Sequence, residues 1–216
     1  MSALFPEAVN GWQEVPQAYN LHQFMEEGIF IQGQFVPPAL AAPALPGVAH
    51  EHRARMANYA RLGSFGALIS DVSEGRVRAT KGKWPLVTYT MLPADVAKLA
   101  RAIGLTARVF FAAGAEEVYS AVFPHPVLRS EQDTRQLESD RLRPSDIEMM
   151  AFHPQGTCRM GSDSKHAVTD SFGRCYGTRH LYVGDASLFP SSTKVNPQIT
   201  IMALATRIAA AIRSEL

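Results

Sequence analysis

The chain has 216 residues, of which 46% are hydrophobic, and this is enough for a folded core in one large domain or two small ones. Its 21 Lys and Arg residues almost balance 20 Asp and Glu residues, so the net charge of +1 excludes the strong positive field of a nucleic-acid-binding domain. Two cysteines are too few for a disulfide framework, which favours reduced thiols and a cytoplasmic location. No apolar window reaches the ~20 residues of a membrane span, and residues 1–10 lack the pattern of a secretion signal.

The first third of the chain predicts strands, a proline-rich loop and a helix. Residues 20–35 have the mixed apolar and polar pattern of one or two strands. Residues 37–48 contain several prolines and are predicted to lack regular structure. Residues 51–62 have helical spacing and precede Gly63, which suits a helix C-cap.

An antiparallel sheet and a long helix are predicted next. Apolar and polar residues alternate in residues 64–72 and again in residues 76–80, with a short glycine turn between them. This pattern is typical of two paired strands. Residues 86–90 would add a third strand. Pro93 fits the first turn of a helix, in which Gly104 predicts either a bend or close packing against a neighbour.

Two further helices are predicted before the last third of the chain. Residues 130–142 are highly charged and predict a solvated helix. Ser145 and Glu148 have capping-box spacing, which predicts a short helix leading into His153. The pattern changes near Pro144, and we place the clearest boundary of the chain there.

The first of three motifs is His-Pro-Gln-Gly-Thr-Cys-Arg-Met-Gly, over residues 153–161. His153 precedes a turn made by Pro154 and Gly156, so its ring is predicted to face a ligand from a loop. Imidazole is the side chain that accepts a proton most readily near neutral pH, which suits the removal of a proton from a ligand. A lone histidine is more often structural, and the interpretation therefore depends on the whole motif.

The second motif is Leu-Tyr-Val-Gly-Asp-Ala-Ser, over residues 181–187. Its apolar start predicts a buried strand, and ligands of open α/β folds collect beyond the carboxyl ends of such strands. Gly184 would let the backbone approach a phosphate, and Asp185 could accept a hydrogen bond from a sugar-like hydroxyl. Alone, this Gly-Asp pair is more often part of an ordinary turn with no ligand.

The third motif is Val-Asn-Pro-Gln-Ile-Thr, over residues 195–200, and it predicts a helix with Asn196 at the N-cap and Pro197 at the first helical position. The free N–H groups of that helix, with a charge of roughly +0.5, would face whatever lies in front of them. An apolar stripe is predicted to bury the helix. It consists of Ile199, Met202, Ala203, Thr206, Ile208 and Ile212.

In this order and spacing, the three motifs resemble the carboxyl-terminal signature of the glucose-methanol-choline (GMC) family of FAD-dependent oxidoreductases, which oxidise alcohols by passing a hydride to FAD. Upstream segments are more loosely similar to bacterial members that act on bulky or apolar alcohols. The Gly-x-Gly-x-x-Gly turn that would hold the ADP half of FAD does not occur in these residues. We therefore expect the carboxyl-terminal portion of such an enzyme.

The resemblance implies an α+β fold. An antiparallel substrate-domain sheet with helices would occupy residues 1–144. Residues 145–216 would form a catalytic segment, whose strand and helix complete a flavin-binding α/β domain.

The resemblance also implies roles for individual residues. His153 would take the hydroxyl proton as the alcohol carbon gives its hydride to flavin, and Asn196 would hold the same oxygen. The residues implied to contact FAD are Gly184, Asp185, Ala186, Asn196, Pro197 and Gln198. The substrate would be a small-molecule alcohol.

Two other classes of protein stay open from the sequence. The chain could be a non-catalytic fragment or split-gene subunit that docks to a separate flavin-binding polypeptide. A small zinc-binding module is the third possibility, because two histidines and two cysteines occur close together: His153, Cys158, His166 and Cys175. Their irregular spacing is unlike that of structural zinc sites, so no metal is expected.

Overall fold

The chain is described by a computed structural model over residues 1–13 and 15–215, and it divides into two compact units. Unit 1 is Met1–Asp71 with Met91–Met149, and unit 2 is Val72–Thr90 with Met150–Leu216. Helices and antiparallel strands are combined in the described residues, which confirms the α+β class. No helix in these ranges is both long enough and apolar enough to cross a bilayer.

Within the described ranges, the strands are β1 (Ser2–Leu4), β2 (Asn20–Leu21), β3 (Ile29–Gln34), β4 (Leu62–Ile69), β5 (Gly75–Arg78), β6 (Leu86–Tyr89), β7 (Glu117–Tyr119) and β8 (Val127–Leu128). The helices are α1 (Pro38–Ala44), α2 (Ala49–Ala57), α3 (Pro93–Ala112), α4 (Glu131–Ser139) and α5 (Gln198–Arg213). The predicted strands over 20–35 are confirmed as β2 and β3.

Unit 1 is built on a six-stranded antiparallel sheet in the order β2-β3-β4-β1-β7-β8. The first strand of the chain is internal, because Ser2 pairs with Ser64 of β4 on one side and with Tyr119 of β7 on the other. The strands at both edges are only two residues long, which leaves few unpaired backbone groups.

The long helix α3 packs against β3, β4 and β7 and forms the core of unit 1. Its predicted start is confirmed, with Pro93 in the first turn. Val96, Ile103 and Phe110 are buried with apolar residues of the sheet and of α4. Because a side chain on Gly104 would collide with the carboxylate of Glu138 in α4, close packing is the role of this glycine.

Helix α4 is confirmed, but its environment differs from the prediction. Thr134 and Leu137 are fully buried, so the helix is amphipathic instead of solvated. Its charged face pairs with α3, where the Arg108 guanidinium donates to Glu131 and Glu138. These carboxylates raise the pKa of Arg108, with the hydrogen bond to Glu138 as the largest cause.

Two predictions in the first half of the chain are wrong. Residues 37–48 contain α1, because Pro38 occupies the first helical turn, where its missing N–H is not needed, and the alanines that follow favour a helix. Gly63 is not a helix C-cap. It lies inside β4 and pairs with Ala3, because α2 has already ended at Ala57.

The predicted pairing of residues 64–72 with 76–80 is also wrong. In the described chain β4 already has β1 on one side and β3 on the other, so it has no free edge for β5. β5 pairs instead with β6, the strand predicted over 86–90.

The helix predicted to run from Ser145 into His153 is replaced by a single 3-10 turn, Pro144–Asp146. The side chain of Asp146 accepts the backbone N–H of Arg143, so the cap lies two residues earlier than predicted. Ile147 then enters an isolated β-bridge with Val122, and this extended geometry ends the turn.

Unit 2 combines the β5–β6 hairpin, helix α5 and a long irregular segment. Isolated bridges fold the irregular segment back on itself, joining Thr169 to both Met160 and Cys175, and Arg174 to Tyr182. Every residue of β5 and β6 is exposed within the chain.

The N-cap of α4 provides a test of unit 1. The hydroxyl of Ser130 accepts the backbone N–H of Asp133 at 3.2 Å. Ser130→Ala is expected to lower the free energy of unfolding by about 1 kcal/mol, because one helical donor loses its acceptor. Chemical denaturation followed by circular dichroism measures this. Gln132→Ala, on an exposed position of the same helix, is the control, and an equal loss in both variants would refute the capping role.

Candidate active site

Backbone hydrogen bonds join the segment after His153, residues 156–160, to residues 186–188, which follow Gly184 and Asp185. The N–H of Gly156 donates to Ala186 O at 3.2 Å, and the N–H of Cys158 donates to Ser187 O at 2.9 Å. Met160 continues the series by donating to Leu188 O at 2.8 Å. The structure therefore brings the first two sequence motifs together.

Gly156 makes this close approach possible. Its φ is +83°, and a Cβ placed there would lie 3.2 Å from the carbonyl oxygen of Phe189. A left-handed backbone and a tight contact both favour glycine. The turn holds the half-buried His153 and Gln155 immediately before the bonded segment.

The Gly-Asp-Ala segment forms a capped turn. Asp185 Oδ1 accepts the N–H of Ser187 at 2.8 Å and begins the 3-10 turn Ala186–Leu188. Gly184 is open, because a Cβ added to it would have no heavy atom within 4 Å. The prediction of a buried strand at residues 181–183 is wrong. In the described chain these residues form a single isolated β-bridge, between Tyr182 and Arg174, because no neighbouring strand lies beside them.

Helix α5 is confirmed, with a start one residue later than predicted. Pro197 is the N-cap, at φ −85° and ψ 0°, and Gln198 is the first helical residue. Asn196 is thus not the N-cap, because the ψ of Pro197 lies outside the helical range. No described side chain caps the first turn, so its backbone N–H groups remain available to a ligand.

The prediction that an apolar stripe buries α5 is wrong for this chain. Ile208 is 4% exposed, whereas Ile199 is 75% exposed and Met202 is 51% exposed. Only part of the helix has a packing partner among the described residues.

His153 precedes the bonded segments in the sequence, and Asn196 follows them. His153 lies three residues before Gly156, and Asn196 lies two residues before α5. Within residues 1–13 and 15–215, neither side chain has a hydrogen-bond partner, so both can bind a ligand. The buried Oε1 of Gln155 also has no described donor. His153, Cys158, His166 and Cys175 do not gather into a metal-ligand group in that part of the chain.

Comparison with known proteins identifies the family. Residues 71–205 match the family model described as GMC oxidoreductase. The chain belongs to the GMC oxidoreductase family. The family predicted from the three motifs is therefore confirmed, and FAD is the cofactor of this family.

Related sequences are longer than this GMC chain. An uncharacterised GMC-type oxidoreductase from Mycobacterium tuberculosis is 34% identical over 210 residues, which are 97% of this chain and 33% of the relative. One from Sinorhizobium fredii is 31% identical and matches 99% of this chain and 42% of its own length. A long-chain-alcohol oxidase from Arabidopsis thaliana is 28% identical over 82% of this chain and 24% of its own length. The chain spans about one third of the length of the mycobacterial relative.

Solved structures share the fold. Pyridoxine 4-oxidase from Mesorbium loti has a TM-score of 0.56 and 21% identity, over 87% of this chain and 34% of that structure. A formate oxidase variant from Aspergillus oryzae, studied for FAD modification, has a TM-score of 0.58 and 18% identity, over 87% of this chain and 32% of that structure.

The residues of unit 2 fit FAD in three respects. Gly184 leaves an open backbone approach, and the first turn of α5 presents uncapped N–H groups. Asp185 uses only Oδ1 in its described cap, so its other carboxylate oxygen can accept a hydrogen bond from a ligand hydroxyl. Open backbone and donor groups of this kind suit phosphate, ribityl and flavin-ring oxygens.

One structural residue of this region was missed in the sequence. Gly173 has φ +72° and is buried, and the N–H of Val183 donates to its carbonyl oxygen at 2.9 Å. A Cβ there would meet Val183 O and the Ile208 side chain of α5. The available signal was weak, since a glycine following Asp170 is typical of any turn.

A pair of glycines with nearly equal backbone geometry tests this packing. Gly173 and Gly177 have φ +72° and +74°, but only Gly173 has neighbours within 4 Å of an added Cβ. Gly173→Ala is expected to lower the free energy of unfolding of unit 2 by about 1–3 kcal/mol more than Gly177→Ala, because overpacking adds to the common backbone strain. Thermal denaturation of the two variants measures the difference. Equal losses would contradict a packing role for Gly173.

Proposed function

We propose that this chain is the carboxyl-terminal, catalytic part of an FAD-dependent oxidoreductase that oxidises an alcohol at its CH–OH group. The backbone bonding of residues 156–160 to residues 186–188 carries the proposal, because it joins the motif of the proposed base to that of the proposed cofactor site. The long-chain-alcohol oxidases among the relatives support an alcohol substrate, and in particular an apolar one.

His153 is the proposed general base. Its imidazole would accept the hydroxyl proton of the alcohol, while bound FAD supplies the acceptor of the hydride. The half-burial of His153 and the absence of a described hydrogen-bond partner support this role, because the ring remains available to substrate.

Asn196 is the proposed orienting residue. Its amide NH₂ would donate a hydrogen bond to the substrate oxygen and hold the hydroxyl towards His153. Fixing the oxygen between a base and a donor would set the position of the carbon that loses the hydride. This role requires the two side chains to share one cavity.

The cofactor contacts are assigned to two short segments. Gly184, Asp185 and Ala186 would contact the ribityl and phosphate part of FAD. Pro197 and Gln198 would bring the start of α5 to the flavin ring, where backbone N–H groups stabilise negative charge.

The chain would perform this function together with a flavin-binding portion, either in the same polypeptide or in a separate one. The exposed Ile199 and Met202 support a partner surface on α5, because contiguous apolar side chains are rarely left in water. The same observation favours a second candidate, a non-catalytic subunit that only docks to a flavin-binding polypeptide. A cytoplasmic location is proposed for either.

Flavin content tests the need for this partner. The purified 216-residue chain is expected to show no visible flavin absorption, because its residues would contact only part of FAD. Co-expression with the flavin-binding portion of the mycobacterial relative is expected to give a yellow complex, and that portion expressed alone is the control. Flavin bound to the chain alone would refute the need for a partner. A yellow complex that oxidises no alcohol would favour the non-catalytic subunit.

Substitution of the proposed base tests the mechanism in the same complex. His153→Asn is expected to lower kcat about 10²- to 10⁴-fold with unchanged flavin content, because proton removal loses its acceptor. Anaerobic reduction of the flavin by a long-chain alcohol measures the rate. His50→Asn, at an exposed histidine of unit 1, is the control and should retain the full rate. A fully active His153→Asn complex would rule out the proposed base.

A further inference from the structure

A groove in unit 2 is lined by none of the described residues that we assign to catalysis or FAD. β5 (Gly75–Arg78), residues 156–159 and residues 165–168 form its walls. Its volume is about 960 Å³. Ligand sites for small organic molecules have volumes of roughly 300–1,000 Å³, so the groove is large enough for such a ligand.

The lining of this groove is strongly positive. Arg76 and Arg78 are two residues apart on β5, so their side chains leave the same face of the strand. Arg159 and Lys165 line the other walls, together with His166. No carboxylate is among the described lining residues.

This charge is poorly compensated within the described chain. The side chains of Arg76, Arg78 and Lys165 have no ion pair there. Arg159 forms an ion pair with Glu74, in which Nη1 and Oε1 are 3.7 Å apart. Both side chains are mostly exposed. Solvent weakens such pairs, so Arg159 remains available to another anion.

The sequence shows the same concentration of charge. Between Glu74 and Asp95 there is no acidic residue, whereas the segment contains Arg76, Arg78, Lys81 and Lys83. Since the whole chain has a net charge of only +1, this positive charge is local.

Apolar side chains lie beside the cations. Val168 is 43% exposed and lines the groove with Ala167. An inorganic ion would leave these side chains in water, whereas an organic anion with an apolar body would cover them.

We propose that this groove binds a small amphipathic organic anion with a carboxylate or phosphate head group. The guanidinium groups of Arg76, Arg78 and Arg159 match two oxygens of such a head group. The backbone N–H groups of Thr157 and Arg159, which donate to no described residue, supply further donors. The apolar body lies along Ala167 and Val168. The proposal does not rest on the proposed oxidation, although Gly156 and Cys158 belong both to the groove wall and to the bonded segment of the candidate site.

Isothermal titration calorimetry of the full chain at low ionic strength tests the proposal. Octyl phosphate and octanoate, below their micelle concentrations, are the probes. Both are expected to bind at least tenfold more tightly than 1-octanol and inorganic phosphate, because each of these lacks one of the two features. Added salt is expected to weaken binding, since exposed charges are screened.

Two variants locate the site. Arg78→Gln on β5 and Arg159→Gln in the loop are each expected to raise the Kd for octyl phosphate roughly tenfold, because a charge-assisted hydrogen bond is lost. Arg53→Gln removes the same charge from an exposed position in unit 1 and is expected to leave the Kd unchanged. Circular dichroism confirms that each variant is folded.

Three results would overturn the proposal. Equal affinity for 1-octanol or for inorganic phosphate would show that the ligand is not an amphipathic anion. An equal rise in the Kd for octyl phosphate with Arg53→Gln would show that the net charge of the chain, and not this groove, determines the affinity. Binding to vesicles containing anionic phospholipid, without binding to free octyl phosphate or octanoate, would identify a membrane surface as the partner.

Discussion

The candidate site depends on three backbone hydrogen bonds, from Gly156, Cys158 and Met160 to the carbonyl oxygens of residues 186–188. These bonds are made by main-chain atoms, so they fix the separation of the two segments regardless of most side chains. Gly156 permits the approach through its left-handed backbone. The histidine motif and the Gly-Asp-Ala motif therefore form one structural element, although almost thirty residues separate them in sequence.

Sequence patterns predicted best what local interactions determine. Helix α3 follows from its apolar spacing and from Pro93 in the first turn, and α4 begins after the capping serine Ser130. The family is recognisable for a related reason. Its motifs, residues 153–161, 181–187 and 195–200, are short runs of neighbouring residues, so they can be compared without knowledge of the fold.

Long-range pairing was not predictable from local patterns. The alternation in β4 and β5 describes two strands but does not state which strands they pair with, and β4 has its partners in β1 and β3. The predicted burial of residues 181–183 and of α5 is wrong for another reason. Their apolar pattern indicates burial, yet in the described chain Ile199 is 75% exposed and Met202 is 51% exposed. The convergence of His153 and Asn196 on one cavity stays a prediction.

The internal position of β1 has a consequence for folding. β1 is flanked by β4 and by β7, and the whole of α3 lies between these two neighbours in the sequence. β1 can therefore complete its pairing only after residue 119 has been synthesised. Contacts between strands so far apart in sequence form slowly, because the chain between them must first be brought into a closed loop.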